Sequence, residues 1–406
     1  MRILILSQTY VPDAPAVGQY MHDAAVELAR RGHDVVAVAA SKSYEDSSQT
    51  YPKRETLDGV RVRRLGFSSF GKGSMAVRLL GGCSFTAQAA LRVLGGRRFD
   101  VTLVSTSPPM APLAALALRA CRRTPYVFWA MDINPDQMVA MGKCAADSTP
   151  AWLFESMIRA TLKHAARVCT LDRFMAERLA AKVPDAALQE RLHVQPPWPM
   201  DAHLDPVPHA ENPFRAEHGL DGKTVVMYSG NISDAHPIDA VLEAAERVRD
   251  ADGLRFVFIG AGGGWQKIRD RAAERGLASV VTLPYQPLEK IRYSLSAADV
   301  HLVAMGGAMS GIVHPCKVYG VLKVHRPLLA MAPADSHVAE IADAGAGWTV
   351  AHDDADAAEA LFRRLLTPAG RAELAEKSAA AAREAERFTR ERMCAAFCDA
   401  VEAAGR

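Results

Sequence analysis

The sequence predicts an α/β protein built from two doubly wound parallel-sheet domains, and three observations predict it. Short β-rich apolar runs alternate with helical stretches in both halves. A proline-dense segment, residues 196–208, breaks the chain near its middle and disfavours one large sheet. The length of 406 residues suits two domains at roughly 150 residues each.

Composition narrows the class. Apolar residues make up 49% and charged residues 23%, which excludes a disordered, collagenous or coiled-coil chain. The 48 basic and 46 acidic side chains leave a net charge of +2, which argues against a dedicated nucleic-acid binder. Seven scattered cysteines without a C-x-x-C pair predict neither a disulfide framework nor a zinc site, and fit a reducing compartment. Met1–Ser7 holds one short apolar run and reads as a first strand, not a signal peptide. No window approaches the eighteen or so apolar residues of a membrane span. The expected location is cytoplasmic, at most resting on a membrane.

In order, Ile3–Leu6, Val35–Ala39, Val101–Val104 and Tyr126–Phe128 read as strands. Gln19–Arg31 carries Met21, Ala24, Ala25, Leu28 and Ala29 at helical spacing, and Arg30-Arg31-Gly32 supplies cations and a glycine where a helix should stop. Strand, helix and strand so close together make a βαβ unit, hence a parallel sheet. The second half repeats the pattern. Strands are expected at Val225–Tyr228, Arg255–Ile259, Val280–Leu283, Val300–Val303 and Leu328–Met331, with helices through Asp239–Val248 and around Gln266–Arg275. Ala355–Arg406 is rich in Ala, Glu and Arg and reads as helical. The predicted division is 1–195, a connector at 196–212, 213–385, and a terminal helix at 386–406 that crosses back towards the first domain.

Ligands of open α/β sheets bind beyond the carboxyl ends of the strands, and four segments fall there. Gln8–Gln19 places Gly18 at a helix start, where backbone amides meet a ligand or the glycine simply serves packing. Phe128–Asp136 carries Asp132, suited to taking a hydroxyl proton or to capping a turn. Val226–His236 sets Gly230 and Asn231 after a strand, with His236 behind them, and Gly260–Gly264 follows the next strand. Met309–Leu322 runs from small residues through Pro315 to Lys317, a plausible cradle for a diphosphate.

In this order these segments resemble the GT4 family of bacterial glycosyltransferases, which have the GT-B fold: two Rossmann-like domains facing across a cleft. The markers include Arg31-Gly32-His33, Leu57–Arg61, Ser107–Pro109, Asp132–Pro135, Ser229–Asn231, Phe258–Gly262, Leu283–Gln286, Ala298–Val300 and Pro315–Gly320. The branch it is most similar to transfers fucosamine and related sugars in surface-polysaccharide assembly. The resemblance implies a retaining, metal-independent hexosyl or N-acetylhexosaminyl transferase without cofactor. Its donor would be a nucleotide sugar, UDP-linked ahead of GDP-linked, and its acceptor a glycan on a polyprenyl diphosphate. Carried over by position, the donor would meet Gly18, Gly230, Asn231, His236, Gly262, Tyr285, Gln286, Ser310, Gly311 and Lys317. Asp132 falls near the reaction centre, and Asp13 and Gln19 on the acceptor side. The first domain would take the acceptor and the second the nucleotide sugar.

The chain departs from the pattern in places. Of two glutamates that many relatives carry, the second falls at Gly320 and the first has only Ser310 as a nearby polar substitute. Asp234 stands where a basic residue is usual, and Cys316 replaces a serine. These departures keep two other functions open: a non-catalytic sugar-nucleotide-binding or scaffold subunit, and a nucleotide-sugar epimerase. An Asp-x-Asp signature occurs only at Asp354-Ala-Asp356, whose polar surroundings suit a solvated loop.

From Lys53 to Arg98, the Lys and Arg residues at 53, 54, 61, 63, 64, 72, 78, 92, 97 and 98 face only Glu55 and Asp58. Within this stretch Met75, Leu79, Leu80, Cys83, Ala87, Leu91 and Leu94 recur at helical steps. A basic amphipathic helix suits contact with anionic membrane, although an ordinary core helix shares the pattern. Nucleic acid is not expected here, because no aromatic platform accompanies the charge.

Overall fold

The computed structural model describes residues 1–406 except 14, 45, 47, 72, 201–203 and 233–235. Lys72 and Asp234 therefore lie outside the described residues. The chain forms two compact units, one from Met1–Met200, Gly311–His314 and Glu391–Arg406, the other from Asp201–Ser310 and Pro315–Arg390.

The first unit holds an eight-stranded sheet. Its strands are β1 (Arg2–Leu6), β2 (Asp34–Ala40), β3 (Arg54–Leu57), β4 (Val60–Leu65), β5 (Val101–Ser105), β6 (Tyr126–Trp129), β7 (Arg167–Thr170) and β8 (Leu192–Val194). The spatial order is β3-β4-β2-β1-β5-β6-β7-β8, and only β3 runs antiparallel to its neighbour. The helices of this part are α1 (Ala16–Arg30), α2 (Met75–Leu94), α3 (Pro112–Arg122), α4 (Asp136–Ala140), α5 (Thr149–His164), α6 (Arg173–Lys182) and α7 (Ala186–Arg191). The central strands are buried along their length, as continuous apolar runs covered on both faces require.

The four strands expected in this half lie within β1, β2, β5 and β6. Missing from the expectation were β3, β4, β7 and β8. In β4, Val60 and Val62 point inward while Arg61 faces solvent, a half-buried alternation obscured by its arginines. Arg64 breaks that alternation by being buried, which is tolerable because its guanidinium donates to Glu55 Oε1 at 2.7 Å and to Val11 O at 2.7 Å.

The second unit has a six-stranded, all-parallel sheet ordered β11-β10-β9-β12-β13-β14. These strands are β9 (Thr224–Asn231), β10 (Leu254–Ala261), β11 (Val280–Leu283), β12 (Val300–Ala304), β13 (Leu328–Met331) and β14 (Gly347–Val350). Its helices are α8 (Pro213–Glu217), α9 (Asp239–Arg247), α10 (Gly263–Arg275), α11 (Ile291–Ser296), α12 (Lys317–Lys323), α13 (His337–Ile341), α14 (Ala355–Leu365) and α15 (Pro368–Ala385). Every strand expected here is present, and β14 is additional. One layer of the core packs β9, β10 and β12 against α9 and α14 through residues such as Phe256, Phe258, Val241 and Phe362.

The last helix, α16 (Arg390–Gly405), joins the first unit from Glu391 onward. Arg31 Nη1 donates to Asp399 at 2.6 Å, and His33 Nε2 lies 2.8 Å from Glu402. Phe397 is fully buried, its ring 4.1 Å from that of Trp129.

Candidate functional site

In the second unit the ends of β9 and β10 come together on glycine. Gly230 and Gly260 have φ of 135° and 148°, and a Cβ at Gly260 would lie 2.0 Å from Gly230 O. A Cβ at Gly262 would lie 2.6 Å from Asn231 Oδ1. Neither Gly260 nor Gly262 could carry a side chain here, so the two strand ends approach backbone to backbone.

Lys317, the first residue of α12, fills the space that Gly230 leaves open. A Cβ at Gly230 would sit 3.3 Å from its Nζ. The ammonium stands 3.6 Å from the Tyr228 ring centroid, a cation–π contact, and its buried nitrogen has no hydrogen-bond partner among the described residues. Burial pushes this lysine down to about 7. Tyr228 itself donates from its hydroxyl to Asn231 O at 2.9 Å, and burial raises its pKa. A cation stripped of water and without an acceptor is costly unless an anion joins it, so the corner is chemically suited to a phosphate oxygen.

The other donor-side residues are placed variously. His236 packs edge-on to Tyr228, ring centroids 6.4 Å apart, and burial followed by the Lys317 charge lowers it to about 3. Its imidazole is neutral at pH 7 and supplies no second cation. Tyr285 is 55% exposed, and the half-buried Gln286 donates to Pro284 O at 2.9 Å. Ser310 Oγ donates to Asp335 O.

Gly311 belongs with the first unit. There its φ of 66° and the 2.7 Å that a Cβ would leave to Phe174 O both require glycine. The next residues pair with the segment after β6: Ile133 N donates to Ile312 O at 3.1 Å, and Asp132 forms an antiparallel bridge with Val313. His314 then sets Nδ1 2.7 Å from Asp172 Oδ2, both side chains buried. The other oxygen of Asp172 accepts from Met175 N at 2.7 Å and caps α6. This His–Asp pair was not foreseen. Its members are 142 residues apart, and only the His314-Pro315 dipeptide inside a recognised motif hinted at it.

Asp132 follows β6, and its amide donates to Thr106 Oγ1 at 3.4 Å. Burial alone raises its carboxyl to about 6, which brings its protonation change close to neutrality. Asp13 is buried and already engaged: it accepts from Ser43 Oγ at 2.7 Å and Tyr44 N at 2.9 Å. Gln19 is half-buried on α1. The Gly18 amide donates to Pro15 O at 3.0 Å, and a Cβ there would press within 3.0 Å of the Tyr10 backbone. That position seats α1 against the loop after β1.

The Asp354-Ala-Asp356 signature has structural uses. Asp354 caps α14 by accepting from Ala357 N at 2.9 Å, and Asp356 pairs with Arg247. Among the described residues no group of three or more His, Cys, Asp or Glu side chains could hold a metal ion. Nor is any described helix long and apolar enough to cross a membrane.

Two units, each built on a largely parallel sheet, give the fold of a class of sugar-transferring enzymes. The chain superposes on several of them. Sucrose-phosphate synthase from Thermosynechococcus elongatus matches with a TM-score of 0.78 and 16% identity, covering 98% of this chain and 97% of that one. WaaG, a glycosyltransferase of lipopolysaccharide biosynthesis, matches at 0.74 and 15% identity over 98% and 99%. Anabaena HepE, solved with UDP and glucose, matches at 0.72 and 14% identity over 99% and 100%.

The sequence is more specific. A family model described as Glycosyl transferase 4-like domain matches residues 16–198, and one described as Glycosyl transferases group 1 matches residues 211–385. The chain belongs to the GT4-like glycosyltransferases of the GT-B fold. It is 27% identical to the putative colanic acid biosynthesis glycosyl transferase WcaI of Escherichia coli K12, over 86% of this chain and 88% of that protein. It is also 27% identical to the probable glycosyltransferase WbjE of Pseudomonas aeruginosa, over 64% of each.

Proposed function

We propose that this protein is a retaining glycosyltransferase of bacterial surface-polysaccharide assembly. It moves a hexosyl or N-acetylhexosaminyl group from a UDP-sugar to a hydroxyl of a lipid-linked glycan, with no metal taking part. The second unit takes the nucleotide sugar and the first the acceptor, on the cytoplasmic side of an anionic membrane. The reading is carried by the buried Lys317 ammonium, which lies over the Tyr228 ring and has no hydrogen-bond partner among the described residues. WcaI is named for colanic acid biosynthesis and HepE was solved with UDP-glucose, which supports both the pathway class and the donor.

In the transfer, the bond from the anomeric carbon to the diphosphate oxygen breaks and its electron pair leaves with the phosphate. Lys317 stabilises that growing charge, and does so more strongly for being desolvated. The acceptor oxygen bonds to the same carbon and gives up its proton, which the Asp132 carboxylate takes.

Calorimetry with UDP tests the reading. Lys317→Met should weaken binding at least tenfold, about the loss of one charge-assisted hydrogen bond. Binding to the native protein should weaken as pH rises above 7, because the lysine lowered to about 7 must regain a proton to meet the diphosphate. Native UDP affinity that is flat from pH 7 to 9, or unchanged in the variant, refutes this role. Sugar transfer that persists in EDTA checks metal independence.

One observation favours a second reading, a subunit that binds sugar nucleotide without turnover. At Gly320, where many relatives place a glutamate, a Cβ would meet the Leu204 and Leu295 side chains at 3.6 and 3.8 Å. Saturable UDP-sugar binding with neither transfer nor hydrolysis, in the presence of a lipid-linked acceptor, would establish it.

A further inference from the structure

The apolar stripe of α2 faces outward. Phe85, Ala89 and Val93 form the buried side of this helix, whereas Leu80, Cys83, Ala87 and Leu91 lie on its exposed side. Leu80 is 63% and Leu91 75% exposed. The helix thus has two apolar faces, and only one is used by the core. Helix α3 packs alongside α2 and exposes Leu113, and α5, against α3, exposes Trp152 and Leu153. Single exposed leucines are ordinary, but a row of them on adjoining helices marks a surface that something covers.

Charge says what covers it. From Gly59 to Met131 the only acidic residue is Asp100, and α2 and α3 carry none. Against it stand Arg92, Arg97, Arg98, Arg119, Arg122 and Arg123, all exposed at the C-terminal ends of these two helices. The crowding is felt within the sheet. Arg63 is lowered first by burial and next by the Arg92 and Arg61 charges. The β3–β4 part of the basic stretch is less available, because Arg64 is paired with Glu55 and Arg61 with Asp34. A second copy of the chain is a poor occupant, since a two-fold interface would set these arginines against themselves. Aliphatic residues flanked by cations instead match an acyl–headgroup boundary.

We infer that the outer face of α2, continued by α3 and the Trp152–Leu153 tip of α5, seats this protein on an anionic lipid surface. The inference rests on the proposed function only for its choice of a lipid-linked acceptor, and it narrows the contact to one helical layer. The helix lies in the plane of the headgroups, its leucines among the upper acyl carbons and its terminal arginines on the phosphates.

Co-sedimentation of the full-length protein with vesicles tests it. Binding is expected to phosphatidylglycerol mixed with phosphatidylethanolamine, to fall with salt, and to be at least about tenfold weaker on phosphatidylcholine. Leu80→Asp with Leu91→Asp, and separately Arg92→Glu with Arg97→Glu, should each lose about tenfold while keeping the native melting temperature and UDP affinity. UDP calorimetry on the same samples separates failure here from failure of the donor reading. Equal binding to both vesicle types, or variants that sediment like the native protein, overturns the inference. So does a native dimer that Leu80→Asp dissolves, or single-stranded RNA binding that competes vesicles away.

Discussion

Asp132 and Lys317 are opposite cases of one physical effect. Burial disfavours the charged form of each, raising the acid and lowering the base. For Asp132 this has a consequence in stability. Between its ordinary value near 3.8 and its folded value of about 6, the native state keeps a proton that the unfolded chain has lost. Stability therefore falls as pH rises through that window, by on the order of 2–3 kcal/mol, and the cost is complete above it. Asp132→Asn should melt higher than the native protein at pH 7, and no higher below pH 4, while losing transfer activity. An equal melting shift at both pH values would show that the carboxyl is not held out of water. The positions of both residues were legible in the sequence, each following a strand or a run of small residues. The ring under the ammonium was not, because nothing in Met227-Tyr228-Ser229 distinguishes a cation's seat from a core tyrosine.

At the scale of elements, the short segment Gly311–His314 is held by three successive contacts, of which the His314–Asp172 pair is the most buried. Asp172 serves two structures at once, capping α6 and holding the imidazole. Asp172→Asn keeps a capping oxygen and should cost less than Asp172→Ala by about 1 kcal/mol in denaturant unfolding. If the two variants unfold alike, the cap contributes nothing. The strands of the second unit were readable almost entirely, since continuous apolar runs ending in glycine announce a parallel sheet. The misses have physical reasons. An arginine-rich alternation disguised β4, β7 and β8 are only four and three residues long, and the outward stripe of α2 has the period of a core-facing one. Periodicity reports that a helix has an apolar face, not which way that face is turned.

For the whole molecule, sequence order and spatial membership diverge. The first unit takes its last helix from the far end of the chain, and Phe397 completes an aromatic cluster with Tyr20, Trp129 and Trp198. Trp129 and Trp198 are fully buried, their rings 5.8 Å apart. Phe397→Ala should cost about 3–5 kcal/mol by the cavity it leaves, and should shift tryptophan emission to the red. Emission and stability that stay native would place α16 elsewhere. Two sheets were evident from the βα alternation on either side of a proline break. The return of the terminal helix was expected only from its helical composition, because the residues it packs against are some two hundred to nearly four hundred positions earlier.

That return has a bearing on how the protein is made. A ribosome that has released the first 200 residues has delivered all eight strands of one sheet, yet Trp129 and Trp198 still lack the ring that covers them. They stay uncovered through synthesis of the entire second unit, until Arg390–Gly405 emerges. The nascent chain thus carries an incompletely covered aromatic cluster for nearly half of its translation, an interval in which exposed apolar surface favours aggregation.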